Sequence, residues 1–233
     1  MIEFKMAIDG KPFAKIQKQL SYAIVVALTR TANQAKTAVR AEMVRVFDRP
    51  TPYTLNSLMV TPATKGKLSA ELGFKMFGGT PPLKFLGPEI FGGARNIKRF
   101  ERAIGARAGF VSALAPAAGA KIDKYGNVST GQIGQILSQL RARSDPQMNE
   151  TAQSRGKKGA GAARYFALGS AHGGLKPGVY MRKGRKIIPV FHVIAAPSYR
   201  PRLKFYDVAI GRMVEAFPQE FARAFDGAMA SAK

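Results

Sequence analysis

From Ile16 to Val46 the apolar residues return at every third or fourth position, and this stripe limits the possible folds more than any other feature of the chain. Leu20, Ala23, Ile24, Ala27, Leu28, Ala35, Val39 and Met43 fall on one side of a helix, with polar and basic residues on the other. Pro12 suits a first helical turn, and Arg49-Pro50-Thr51-Pro52 supplies a stop. The stripe therefore predicts one helix from about Pro12 to Asp48. At ~1.5 Å per residue it is roughly 50 Å long, which makes it the spine of a domain or a face between subunits.

The pattern then changes from a period near four to a period of two. Leu58, Val60 and Pro62 alternate with polar neighbours, and after Thr64-Lys65-Gly66-Lys67 so do Leu68, Ala70, Leu72, Phe74 and Met76. Alternation on both sides of a glycine-containing turn predicts a β-hairpin with one buried face, and it places Ser69, Glu71 and Lys75 outward. A second hairpin is expected around Lys183-Gly184. In its second strand Ile187, Ile188, Val190, Phe191, Val193 and Ile194 predict a central strand covered on both faces. A final helix follows, with Asp207 as its cap, Val208 to Ala228 at helical spacing, and Pro218 as a kink or restart.

Between the hairpins the chain is punctuated by Gly78-Gly79-Thr80-Pro81-Pro82, Gly87-Pro88, Gly92-Gly93 and Ala115-Pro116-Ala117-Ala118-Gly119. Short helices are expected from Ile97 to Ala106 and from Thr130 to Arg143. The expected fold class is α+β, an antiparallel sheet packed against long N-terminal and C-terminal helices, with a long loop-rich insertion. Residues 1–76 supply the first helix and hairpin. Residues 77–163 form an arm that takes order from its neighbours, and 164–233 complete the same core.

Composition enters through charge. Lys and Arg number 37 against 14 Asp and Glu, a formal +23, so copies of the chain repel one another unless an acidic partner or nucleic acid stands nearby. Hydrophobic residues make up 46%, enough to bury a core. No apolar run reaches the ~20 residues that span a bilayer, and the N-terminus lacks a signal-peptide layout. There is no cysteine, which excludes disulfides and thiolate metal sites and fits folding in a reducing cytoplasm.

Catalytic material is sparse. His192 sits in an apolar strand and is expected to be packed, whereas His172 sits in the loop Ser170-Ala171-His172-Gly173-Gly174 and is expected to be solvated. Gly156-Lys157-Lys158-Gly159-Ala160-Gly161 lacks the Gly-Lys-Ser/Thr ending and the preceding strand of a phosphate-binding loop. Asp123, Asp145 and Glu150 are scattered. The expectation is a protein without enzymatic activity, cofactor or metal. The basic residues carry more: Arg141, Arg143, Arg155, Lys157, Lys158 and Arg164 crowd one segment, and Arg182, Lys183, Arg185 and Lys186 crowd the second hairpin's tip. Lys, Arg and Gly in loops neutralise phosphates without reading sequence, so these ten are the candidate contacts to DNA or an acidic partner. Tyr165, Phe166 and Tyr180 are the nearby aromatics and are expected to belong to the core.

Four stretches together resemble the phage minor tail protein Z family, the lambda-type tail-completion or neck proteins. These are Ala27-Leu28-Thr29-Arg30-Thr31-Ala32-Asn33 in the first helix, Phe47 to Leu55 leading into the first hairpin, the basic-turned hairpin Val179 to Val193, and Pro197 onward into a helix interrupted by Phe217-Pro218-Gln219-Glu220. The likeness covers residues 12–77 and 164–231. It implies a homo-oligomeric ring, of six subunits, at the head–tail junction of the virion. Its neighbours would be the connector and the tail-tube or tail-terminator proteins, with genomic DNA in the lumen. The alternative from composition alone is an architectural or packaging protein that binds DNA without sequence specificity.

Overall fold

The structure, a computed structural model, describes residues 2–5, 14–76, 80–157 and 162–231. It is an α+β protein with antiparallel sheets and long helices at both ends, as expected. The chain forms two compact units, Met1–Gly92 with Arg200–Lys233, and Gly93–Tyr199. These boundaries differ from those expected at 77 and 163, and the second hairpin belongs with the insertion instead of the terminal helices.

In the first unit, strand β1 (Ile2–Lys5) is followed by helix α1 (Ala14–Val46), a short helix α2 (Pro52–Leu55), and strands β2 (Leu58–Thr61) and β3 (Ser69–Phe74). Helix α3 (Leu83–Phe91) and the final helix α7 (Phe205–Ala230) complete it. The sheet has the order β1-β3-β2. The stripe of α1 lies on it: Ile24, Leu28, Ala35, Val39 and Met43 are buried with Leu58, Ala70, Leu72 and Phe74. Apolar positions two apart in β3 thus meet positions three and four apart in α1. Helix α7 runs antiparallel to α1. Ala23 and Ala27 share a seam with Ala224 and Ala228, while further along Gln34 bonds both Glu220 and Arg212 at 2.8 and 2.7 Å.

Several sequence expectations change in this unit. Thr51-Pro52 starts α2 instead of merely ending α1, because Thr51 accepts a hydrogen bond from the Thr54 amide at 3.1 Å. Pro12 lies outside the described residues. Ser69 is buried, since β1 adds a third strand beside β3, whereas Met76 is exposed past the strand's end. Asp207 sits inside the first turn of α7 with Lys204 at the cap position, so its charge faces the helix dipole from within. The helix continues through Pro218, which lies on its exposed side, where water can serve the carbonyl that loses its partner. Residues 83–91 form α3 although Gly87 and Pro88 read as loop.

The second unit holds β4 (Gly93–Ala94), α4 (Arg99–Ala108), β5 (Ala113–Pro116), α5 (Thr130–Gln139), a short 3-10 turn (Pro146–Met148), α6 (Ala152–Lys157), and strands β6 (Arg164–Leu168), β7 (Gly178–Lys183), β8 (Lys186–Ile194) and β9 (Ser198–Tyr199). Its main sheet is antiparallel, order β5-β8-β7-β6, and β4 pairs with β9. Ile104 and Ile136 from α4 and α5 pack on Leu114, Tyr165, Val179, Val190 and Phe191. The insertion therefore owns a hydrophobic core, and it is not an arm without pattern. Ala115-Pro116, read as spacer, is strand. β8 is central, as expected, but covered on one face only: Ile187, His192 and Ile194 are exposed. The packed histidine expected at 192 is therefore a surface residue.

Candidate nucleic-acid interface

The second unit carries most of the charge. Between residues 93 and 199 eighteen Lys and Arg face four acids, a net +14 of the chain's +23. All four acids are turned to internal work. Glu101, 1% exposed, accepts Arg95 at 2.7 and 2.8 Å, the Lys98 amide at 2.6 Å and the Leu114 amide at 3.1 Å. Burial pushes its carboxyl up, but Arg95 and the two amides more than reverse this and hold it below the usual carboxylate range. Glu150, also buried, pairs with Arg155 at 3.3 Å and Arg164 at 3.2 Å. Asp123 folds its own loop through the amides of Tyr125 and Asn127, and Asp145 caps the 3-10 turn through that of Gln147. Asp123 and Asp145 stay exposed, so the outward surface holds two acids among many more bases.

The candidate residues divide into three groups. Arg155 and Arg164 are drawn together on Glu150, and Arg164 also donates to the carbonyl of Arg155 at 2.9 Å. This knot ties α6 to β6, so both side chains have structural work. Arg141 and Arg143 follow the end of α5. Arg141 adopts φ 53°, which turns its carbonyl toward Arg107 to accept two bonds at 2.9 and 2.7 Å, while its own side chain stays exposed. Arg143 folds back and donates to the Gly134 carbonyl at 3.1 Å. An added Cβ at Gly134 would meet Arg143 Nη2 at 2.9 Å, so the glycine is what admits the guanidinium. The Lys157 side chain and all of Lys158 lie outside the described residues.

The third group is the tip of the β7–β8 hairpin. Lys183 pairs with Lys186 across a two-residue loop, Gly184-Arg185, in which Gly184 has φ 58°. Glycine with positive φ at the first of two loop positions is the II′ arrangement, which matches the twist of the strands. Arg182, Lys183, Arg185 and Lys186 are all exposed, and among the described residues none forms an ion pair with an acid. Arg182 lies next to Arg164 across the ladder and sets its guanidinium over the Phe166 ring at 5.8 Å. Phe166 in turn stacks on Tyr180, with ring centres 5.5 Å apart. These two rings occupy the sheet face opposite the core, while Tyr165 points into it. Cations in a row with no acid among them attract phosphates without selecting bases.

Pattern alone did not reveal Lys121, Lys124 and Lys176, exposed bases of the same unit. The unit boundary places them in the same compact unit as the hairpin tip. Among the described residues no group of three or more His, Asp or Glu stands close enough to hold a metal ion, and no helix is long and apolar enough to cross a membrane. Comparison of the chain with protein-family models, curated proteins and solved structures found no match.

Proposed function

We propose that this chain is a structural protein of a tailed-phage virion. It would be a ring-forming tail-completion or neck subunit that joins the tail to the head connector around the DNA channel. It works by shape and adhesion, without catalysis or cofactor. The observation that carries the reading is the segregation of charge: a unit of net +14 whose two buried acids are paired with arginines and whose two exposed acids bond the amides of their own loops. Repeated round a ring, that charge needs an anionic counterpart, and DNA in the lumen or an acidic connector supplies one. The resemblance in the terminal helices and hairpins supports the head–tail junction as its place, after synthesis in the host cytoplasm. Mass spectrometry of purified particles tests this directly. The chain is expected among the virion proteins, and its absence from mature particles would sink the reading.

The second reading, a free DNA-binding architectural or packaging protein, is favoured by the unpaired hairpin tip. Salt separates the two. A DNA binder associates tightly with duplex alone, and its log K falls by about 0.9 per phosphate contact for each decade of salt. Replacing Arg182, Lys183, Arg185 and Lys186 together by Ala is then expected to flatten that slope by about 3–4. A neck subunit binds a partner ring and holds duplex weakly.

A further inference from the structure

Copies carrying +23 repel, so a ring of them needs a local contact of opposite sign. One helix offers it. Among the described helices α7 alone has a net negative charge, with Asp207, Glu215, Glu220 and Asp226 against Arg212 and Arg223. Glu220 is buried against α1, and Arg212 reaches inward to Gln34 as well as to Glu215. What faces out is a flank at spacings of three and four: Asp207, Ile210, Val214 and Pro218. Ile210 is 48% and Val214 63% exposed; Asp207 lies one turn before Ile210, Glu215 lies beside the strip and is bonded to Arg212 at 3.0 Å, and no Lys or Arg of α7 lies on this side. An apolar strip with an acidic rim is the converse of the hairpin tip. There Ile187, 38% exposed, lies directly across the ladder from Arg182 and follows Arg185-Lys186.

We infer that the flank of α7 around Ile210 and Val214 is the docking surface for the β7–β8 hairpin tip of a second copy. The inference rests on the ring reading and specifies its contact. Two unlike patches, both present on every chain, make a head-to-tail interface, which closes when its rotation divides the circle. Apolar centres supply adhesion, and the opposed rims fix register and discourage face-to-face pairing of like patches.

Light scattering of the full chain, free of nucleic acid, tests it. A flank variant carries Asp207→Lys, Val214→Arg and Glu215→Lys, and a tip variant carries Arg182→Glu, Lys183→Glu, Arg185→Glu and Lys186→Glu. Each is expected to fall to single-chain mass with an unchanged far-UV dichroism spectrum. Mixed in equal amounts they should regain multi-chain mass, since the intact tip of one meets the intact flank of the other and the two reversed faces are again opposite in sign. Because the chain has no cysteine, a Val214→Cys, Lys183→Cys double variant reads the contact without reversing charge. Oxidation should give a ladder of cross-linked multimers, and this result decides the matter if a charge variant fails to fold. Wild-type assembly that both variants preserve, with no ladder, overturns the interface and leaves the ring standing. A wild-type chain that stays single at every salt and concentration overturns both.

Discussion

Glu101 holds a full negative charge where almost no water reaches, and it is tolerable there because four donors surround it. The Lys98 amide is the first of the orphan donors at the start of α4, and the Leu114 amide is on the outward side of the edge strand β5. One carboxylate thus ends a helix, blocks a strand edge and neutralises Arg95. Its folded pKa lies below its unfolded value, so the unfolded chain takes up the proton first as pH falls. The stability it confers is complete at neutral pH and is lost below about 4.3, as the carboxyl of the unfolded chain protonates. Glu101→Gln is expected to destabilise the second unit at pH 7 by about 3 kcal/mol, because Arg95 is left without its acid. Thermal melts of the variant between pH 7 and 3 should show a flatter pH dependence than wild type. An unchanged profile would assign the acid sensitivity to other carboxylates.

At the level of elements, the α1–α7 pair depends on small residues. Ala23, Ala27, Ala224 and Ala228 let the two backbones approach, and Phe217, Phe221 and Phe225 stack beside the seam at 6.0 and 5.9 Å between successive ring centres. Ala27 is completely buried, so Ala27→Leu is expected to cost about 2 kcal/mol by overpacking and to lower the melting temperature of the first unit. If the melting temperature held, the seam would have slack that the buried alanines do not suggest. The second sheet shows a related economy. Gln139 accepts from the Tyr165 amide at 2.8 Å and donates to the Ala163 carbonyl at 3.4 Å, covering the edge of β6. With Glu101 at β5, both edges of that sheet are met by side chains instead of further strands.

For the whole molecule, two cores in one chain have a thermodynamic consequence. Leu72 is buried in the first and Ile136 in the second, and the two clusters share no residue. Leu72→Ala and Ile136→Ala each remove about 2–5 kcal/mol from their own unit. In calorimetry of the full chain they are expected to shift different parts of the unfolding endotherm. A single transition moved equally by both would mean that the units unfold as one. Charge is also divided at this scale, with +14 on the second unit and +9 left for the first. The candidate phosphate contacts, the hairpin tip among them, all lie on the second unit, whereas the acidic helix α7 belongs to the first.

Periodicity by itself determined α1, the β2–β3 hairpin, α4, α5 and the β7–β8 hairpin, because each buries a face whose spacing is written locally. It also singled out the hairpin tip, since a run of Lys and Arg around Gly184 is local information. Three things waited for the tertiary structure. Strand β1 forms only because β3 has a free edge, and its four residues are too few to carry a pattern. Arg155 and Arg164 looked like free cations until Glu150, well before Arg164 in the chain, was seen to hold both. The unit boundary at 92/93 and 199/200 depends on which apolar faces meet, and the hairpin's core face meets α4 and α5 instead of α1. Spacing tells a residue which side of its own element it occupies. Which other element covers that side, and which charges are thereby consumed or left facing outward, depends on contacts between residues far apart in the chain.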